Sequence, residues 1–260
     1  MPHISEAIKI AVTSGKGGVG KTAITMNLAM YYARLKKKVL ILDGDLGLSN
    51  IDVAFGLVPK SNLKHVIAGK KGLKEIIVTG PQGIMVIPAG SGATELTDLT
   101  TTQQLNLLAE FQGLDIAVDI FLIDTGAGIA NNVFYLCNMA NDVVIVVTPE
   151  PTSISDAYVM LKVLTKNFRR TNLKVVVNNA RSPKEAQDTF MRLYKVADKF
   201  LNISFDYLGY LPTDLKMTDS IKAQRVFIDM YPNSSFSRKL SEIGKTLEEN
   251  PSPLGGGLFW

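Results

Sequence analysis

Apolar runs of strand length recur along this chain, and between them lie segments whose apolar positions return with a helical period. The runs Ile8–Thr13, Lys38–Asp43, Ile84–Pro88, Ile120–Asp124, Val143–Thr148, Lys174–Asn178 and Phe205–Leu211 predict strands. The amphipathic segments Lys21–Leu35, Thr102–Gln112, Asn131–Met139, Ser153–Asn167, Pro183–Phe200 and Ser235–Glu248 predict helices. Thr152, Ser153 and Ser182 suit helix caps, and Pro183 suits a first helical turn. The strand runs are almost unbroken Val, Ile and Leu, the pattern of strands covered on both faces. Strand and helix in alternation predict an α/β fold: a single doubly wound, mostly parallel sheet with helices on both faces. No internal repeat appears, and no linker-like tract precedes Asn250. One domain over residues 1–249 with a tail at 250–260 is the simplest organisation.

Bulk composition narrows this only slightly. A chain of 260 residues with 46% hydrophobic and 20% charged residues can bury a sizeable core. The formal charge of +4 permits attraction to anionic lipid or nucleic acid without demonstrating it. Its runs, Lys36-Lys37-Lys38, Lys70-Lys71 and Arg169-Arg170, fall at predicted element ends and read as solvated charge. The single cysteine, Cys137, excludes an internal disulfide and any paired-cysteine metal or redox site, and its apolar helix predicts a buried thiol. His3 and His65 have no partners at metal-ligand spacing. No secretory signal pattern and no apolar run of membrane-spanning length occur, so a cytoplasmic location is expected.

The chemistry concentrates where the first predicted strand gives way to the first predicted helix. Gly15-Lys16-Gly17-Gly18-Val19-Gly20-Lys21-Thr22 satisfies the phosphate-loop pattern, with an extra lysine directly after the first glycine. Glycines let backbone N–H groups turn toward phosphate oxygens, and the following helix start adds donors and positive potential. Lys21 is expected to reach the β- and γ-phosphates, and the Thr22 hydroxyl to hold Mg²⁺. The fixed positions of the pattern coincide by chance on the order of once per hundred chains of this length. A nucleoside triphosphate is the expected ligand.

In open α/β sheets ligands sit at the carboxyl ends of strands. Ile120–Ile123 leads into Asp124, the Walker B arrangement, where a carboxylate can accept from a Mg²⁺-bound water. Thr125-Gly126-Ala127-Gly128 then reads as a small, flexible switch loop. After Val39–Leu42 come Asp43 and Asp45, which can both face the site if the chain leaves strand geometry at Gly44. One could touch the metal's water shell and the other position the attacking water, or both could simply form a turn.

Together these segments resemble the MinD/ParA family of deviant phosphate-loop ATPases. Ser14–Thr22 looks like its nucleotide loop, Asp43–Asp45 with Leu46 to Asp52 like its first switch, and Asp124–Gly128 like its second. The likeness continues through Val147–Glu150 and Val177–Asn179 to Leu211–Asp214. The stretches Asp43–Asn50 and Ile123–Ile129 look most like the branch that regulates flagellar number and placement.

The resemblance implies an ATP-dependent homodimer closed over two ATP molecules, with slow regulatory hydrolysis. It implies that Lys16 crosses to the partner's phosphates, that Lys21 serves its own nucleotide, and that Asp45 orients the hydrolytic water. The loop residues Gly15, Lys16, Gly17, Gly18, Val19, Gly20, Lys21, Thr22 and Ala23 would cradle the phosphates, with Thr22, Asp43 and Asp124 serving Mg²⁺. Asn178 would bond the adenine, Pro212, Thr213 and Asp214 would line the base, and Glu150 would lie near the ribose. Taken without the resemblance, Asn178 reads as a helix-capping or turn residue. The implied partners are proteins of flagellar assembly or its transcriptional control. Prolines and three glycines in the tail oppose the amphipathic membrane helix found in relatives, which leaves contact with the inner face of the cell membrane weakly supported. Partitioning of DNA and placement of the division site are the competing roles, and the scattered basic runs offer the former little. An iron–sulfur carrier of the related type would need a cysteine pair that this chain lacks.

Overall fold

The computed structural model describes residues 4–45, 51–90 and 99–253. Residues 46–50 of the expected first switch, His3 and tail residues 254–260 lie outside the described residues. Among the described residues, eight strands form one sheet in the order β3-β4-β2-β5-β1-β6-β7-β8. They are β1 Ile8–Ser14, β2 Val39–Gly44, β3 Val78–Thr79, β4 Met85–Ile87, β5 Ile120–Ala127, β6 Asp142–Val147, β7 Leu173–Ala180 and β8 Asp206–Pro212. All pairings are parallel except that of β3 with β4. The helices are α1 Lys21–Arg34, α2 Ile51–Ala54, α3 Leu63–Ile67, α4 Leu73–Ile76, α5 Thr101–Gln112, α6 Asn131–Asn138, α7 Pro151–Lys166, α8 Pro183–Leu201, α9 Met217–Lys222, α10 Phe227–Met230 and α11 Ser235–Glu249. The expected doubly wound sheet is therefore present.

Alternation along each strand divides the core in two. Ile10, Val12, Ile41, Leu122 and Val144 face one side, where Leu28 and Tyr32 of α1 and Leu240 and Ile243 of α11 cover them. Ala11, Leu42, Phe121, Ile123 and Ile145 face the other side, against Phe111, Phe134, Leu161 and Leu193. Both faces are apolar because both are covered, which explains the unbroken strand runs. Cys137 is buried in α6 as expected, and burial pushes its thiol up to about 12, so it stays protonated near neutral pH.

Several local expectations change. Thr152 and Ser153 do not cap α7; the N-cap position is Glu150, followed by Pro151. Ser153 Oγ instead accepts from the Thr148 amide at 3.0 Å. Ser182 does cap α8, accepting from the Glu185 amide at 3.1 Å. His65 joins Asn62 in a capping box at the start of α3. Arg170 is not solvated: it is buried, and its guanidinium donates to the Ala140 and Asn141 carbonyls at 2.7 and 3.1 Å.

At that same end of the sheet, the residues after α11 are tied down. Asn141 Nδ2 donates to the Ser252 carbonyl, Asp142 Oδ2 accepts from the Ser252 amide, and Asn172 Nδ2 donates to the Pro253 carbonyl, all within 3.2 Å.

Truncating Arg170 strips two buried carbonyls of a charged donor, whereas Arg169 is exposed. Urea unfolding should show Arg170→Ala destabilised by about 2–4 kcal/mol. Arg169→Ala should stay within about 0.5 kcal/mol of the parent.

Candidate nucleotide site

The site is built where β1 hands over to α1. Between Ser14 and Lys21 the chain turns through the glycine-rich loop, and its neighbours fix the turn. Ser14 Oγ donates to the Lys16 carbonyl at 2.6 Å. A Cβ on Gly15 would stand 2.3 Å from the Asp156 carbonyl oxygen of α7, so the loop rests directly on that helix. Gly20 has a φ of +97°, and a Cβ there would lie 2.4 Å from Asn178 Nδ2. Conformation and space both exclude a side chain at Gly20. Asn178 Nδ2 donates to the Val19 carbonyl at 2.8 Å, which clips β7 to the loop. Gly17 and Gly18 are exposed, and no side chain caps the start of α1, so that helix end is open to an anion.

The two lysines of the loop face different surroundings. Lys21 is buried; burial holds its ammonium below the ordinary lysine range, while the charges of Asp124 and Asp45 act in the opposite sense. Lys16 is half-exposed, and its Nζ lies 2.5 Å from Glu150 Oε2 and 3.0 Å from Thr152 Oγ1, both at the start of α7.

Asp43 and Asp124 are direct neighbours in the pairing of β2 with β5, and both are buried. Asp124 Oδ2 accepts from Thr22 Oγ1 at 2.7 Å and its Oδ1 from Thr25 Oγ1 at 3.1 Å. Burial, and next the Asp43 charge, push the Asp124 carboxyl up to about 7, against the stabilising Thr22, Lys21 and Thr25 contacts. Asp43 accepts from the Asp45 amide at 3.2 Å and the Ile51 amide at 3.4 Å, so it ties together the two ends of the segment that contains residues 46–50. Asp45 itself is half-buried.

This donor set fits Mg²⁺ bound together with phosphate. Among the described residues no three His, Cys, Asp or Glu side chains cluster. A hydroxyl and one or two carboxylates beside a phosphate loop are what such a hard cation uses when phosphates supply its other oxygens. A divalent cation would also relieve the repulsion between Asp43 and Asp124.

Toward the β8 edge, the Thr213 amide donates to the Ala180 carbonyl at 3.1 Å, bringing the end of β8 beside the end of β7. Asp214 accepts from the Lys216 amide at 3.0 Å, ahead of α9. Thr148 Oγ1 and Asn178 Oδ1, at the ends of β6 and β7, are buried and find no hydrogen-bond partner among the described residues. Ala23 faces an apolar groove of about 280 Å³ shared with Met26, Val53, Met217 and Ile221.

One expectation needs correction here. Thr125 to Ala127 are not a free loop; β5 runs on through Ala127, and Thr125 Oγ1 lies 2.9 Å from Thr13 Oγ1. The turn comes only at Gly128, with a φ of +94°. The structure also adds Thr25 and Thr148, which the sequence reading does not place at the site. Thr25 carries a readable signal, since it follows Thr22 by three residues and so shares its helix face.

A strand, a phosphate loop, a helix and a buried aspartate on the adjacent strand define a P-loop nucleotide-binding protein. The ParA family profile, described as NUBPL iron-transfer P-loop NTPase, matches residues 6–248, and the chain belongs to this family. Within it, the chain is similar to the antiactivator FleN of Pseudomonas aeruginosa, 38% identical over 94% of this chain and 87% of that one. It is also 35% identical to the flagellum site-determining protein YlxH of Helicobacter pylori, over 92% of this chain and 81% of the other. Among solved structures, a chain of the MinC:MinD cell division protein complex of Aquifex aeolicus superposes with a TM-score of 0.74 at 26% identity, covering 96% of this chain and 99% of that one.

The raised Asp124 carboxyl has a consequence for stability. Between the ordinary carboxylate value of 3.8 and about 7, the folded chain keeps a proton that the unfolded chain has released. Stability of the nucleotide-free protein should therefore fall as pH rises through that window and level off above it. Asp124→Asn should flatten this slope and raise the urea midpoint at pH above 7, measured without Mg²⁺ or nucleotide.

Proposed function

We propose that this chain is an ATP-switched, dimerising ATPase that controls flagellar number or placement through nucleotide-dependent binding of protein partners. The observation that carries the switch is the division of labour between the two loop lysines. Lys21 is buried beside Asp124 and Asp45, where it serves its own nucleotide. Lys16 stands at the surface, with its ammonium outside the loop, where it can serve a second chain. In the dimer Lys16 neutralises charge developing on the partner's phosphates, and Asp45 orients the attacking water. Thr22 and Asp124, with Asp43 beside Asp124, would hold Mg²⁺, which would supply charge neutralisation at the phosphates.

The base reading rests on Asn178. Val19 meets Asn178 with its carbonyl, so the amide nitrogen of Asn178 faces the loop and Oδ1 remains as an acceptor. An acceptor suits the amino group of adenine and opposes the carbonyl of guanine, which favours ATP over GTP. Pro212, Thr213 and Asp214 flank the base, and Glu150 approaches the ribose across the dimer. The flagellar assignment is supported by the likeness to FleN and YlxH over nearly the whole chain. Iron transfer is not favoured, because the one cysteine is buried in α6.

Calorimetry and light scattering should show that Lys21→Ala abolishes ATP binding, whereas Lys16→Ala binds ATP but neither dimerises nor hydrolyses it. Asp45→Ala should remain dimeric in ATP, with turnover lowered by about 10²–10⁴. Equal affinity for ATP and GTP would remove the base assignment. Deleting the gene should alter flagellar number or position and leave division and chromosome segregation intact; minicells or lost chromosomes with normal flagella would overturn the flagellar role.

A further inference from the structure

We propose that Glu150 and Thr152 are positioning residues that hold Lys16 within its own chain, and so set the ATP concentration at which two chains pair. A paired active state is presupposed, as in the function proposed above. Lys16 Nζ is bonded twice, to Glu150 Oε2 at 2.5 Å and to Thr152 Oγ1 at 3.0 Å. Both acceptors belong to the first residues of α7, where a helix leaves amides unsatisfied and side chains ordinarily turn inward to cap them. Glu150 occupies the N-cap position and makes no capping bond. Both side chains are instead turned to the lysine.

The backbone gives this contact a fixed frame. Gly15 lies against the Asp156 carbonyl of the same helix, and Ser14 Oγ fixes the Lys16 carbonyl. The loop and the start of α7 thus form one body, on which the long Lys16 side chain is the part able to swing. A lysine engaged on its own α7 cannot reach phosphates bound by another chain. Pairing therefore requires both bonds to break, once in each subunit.

Exposure sets the strength of the hold. The Lys16 side chain is 36% exposed and that of Glu150 64%, and ion pairs so exposed shift an equilibrium by only about two- to five-fold. That is the size of a threshold, not of a lock: ATP overcomes it, and a chain without ATP keeps its lysine in place.

The test uses the full chain and Thr152, which has no assigned contact with nucleotide. Light scattering during ATP titration gives the midpoint of dimer formation for the parent, Thr152→Val and Thr152→Ser. Thr152→Val, which leaves the Glu150 ion pair in place, should dimerise at about two-fold lower ATP, and Thr152→Ser, which keeps the hydroxyl, should match the parent. In a Lys16→Ala background, Thr152→Val should leave the single-chain ATP affinity unchanged, a readout that a merely structural role would move. Thr152→Ala should shift the midpoint in the same direction if valine is not tolerated at the helix start. A parent that never dimerises with ATP would sink the dimer reading itself. A parent that dimerises while the Thr152→Val midpoint is unchanged or higher would overturn the holding role alone.

Discussion

Two carboxylates stand side by side in the sheet with almost no water around them, and the nucleotide site is organised about that conflict. Asp43 and Asp124 are neighbours across β2 and β5, each about 1% exposed. Buried like charges are costly unless each finds donors. Asp124 draws on Thr22 and Thr25 of α1, and Asp43 on the amides of Asp45 and Ile51. The same bonds that satisfy the pair therefore fasten α1 to β5, and the amides of Asp45 and Ile51 to β2.

From there α1 carries the arrangement across the molecule. Thr25 binds Asp124, Asn27 Oδ1 accepts from the Ile228 amide in α10, and Tyr32 donates to the Gly244 carbonyl within α11. Arg34 pairs with Asp229 of α10 at 2.8 Å. The helix that begins at the nucleotide is thus bonded at successive turns to the C-terminal helices, and buried side chains such as Leu28 and Tyr32 leave it little freedom to move alone.

Much of this was legible in the sequence, for identifiable reasons. The phosphate loop is contiguous, and a strand buried on both faces writes itself as an apolar run. Helices of four to six residues, such as α2, α4, α9 and α10, were missed because so few residues cannot display a period. Other misses have partners far away in the chain. Arg170 reads as half of a basic pair until Ala140 and Asn141 are brought against it. Thr152 resembles a cap until Lys16, 136 residues earlier, takes its hydroxyl. Asn178 resembles a turn residue until it meets Val19. Local propensity was outweighed in each case by a contact that exists only once the sheet has assembled.

The clasp that holds Ser252 and Pro253 at the foot of β6 and β7 has a practical side. β6 spans six residues from Asp142 to Val147, so its ends lie about 17 Å apart. Thr148 and Glu150 follow the upper end, and Asn141 and Asp142 with the clasp mark the lower one. A fluorophore or affinity handle joined beyond Pro253 starts from the side of the sheet away from the phosphate loop and the start of α7. It can report on the assembly of this chain while leaving the surface around Lys16 unobstructed.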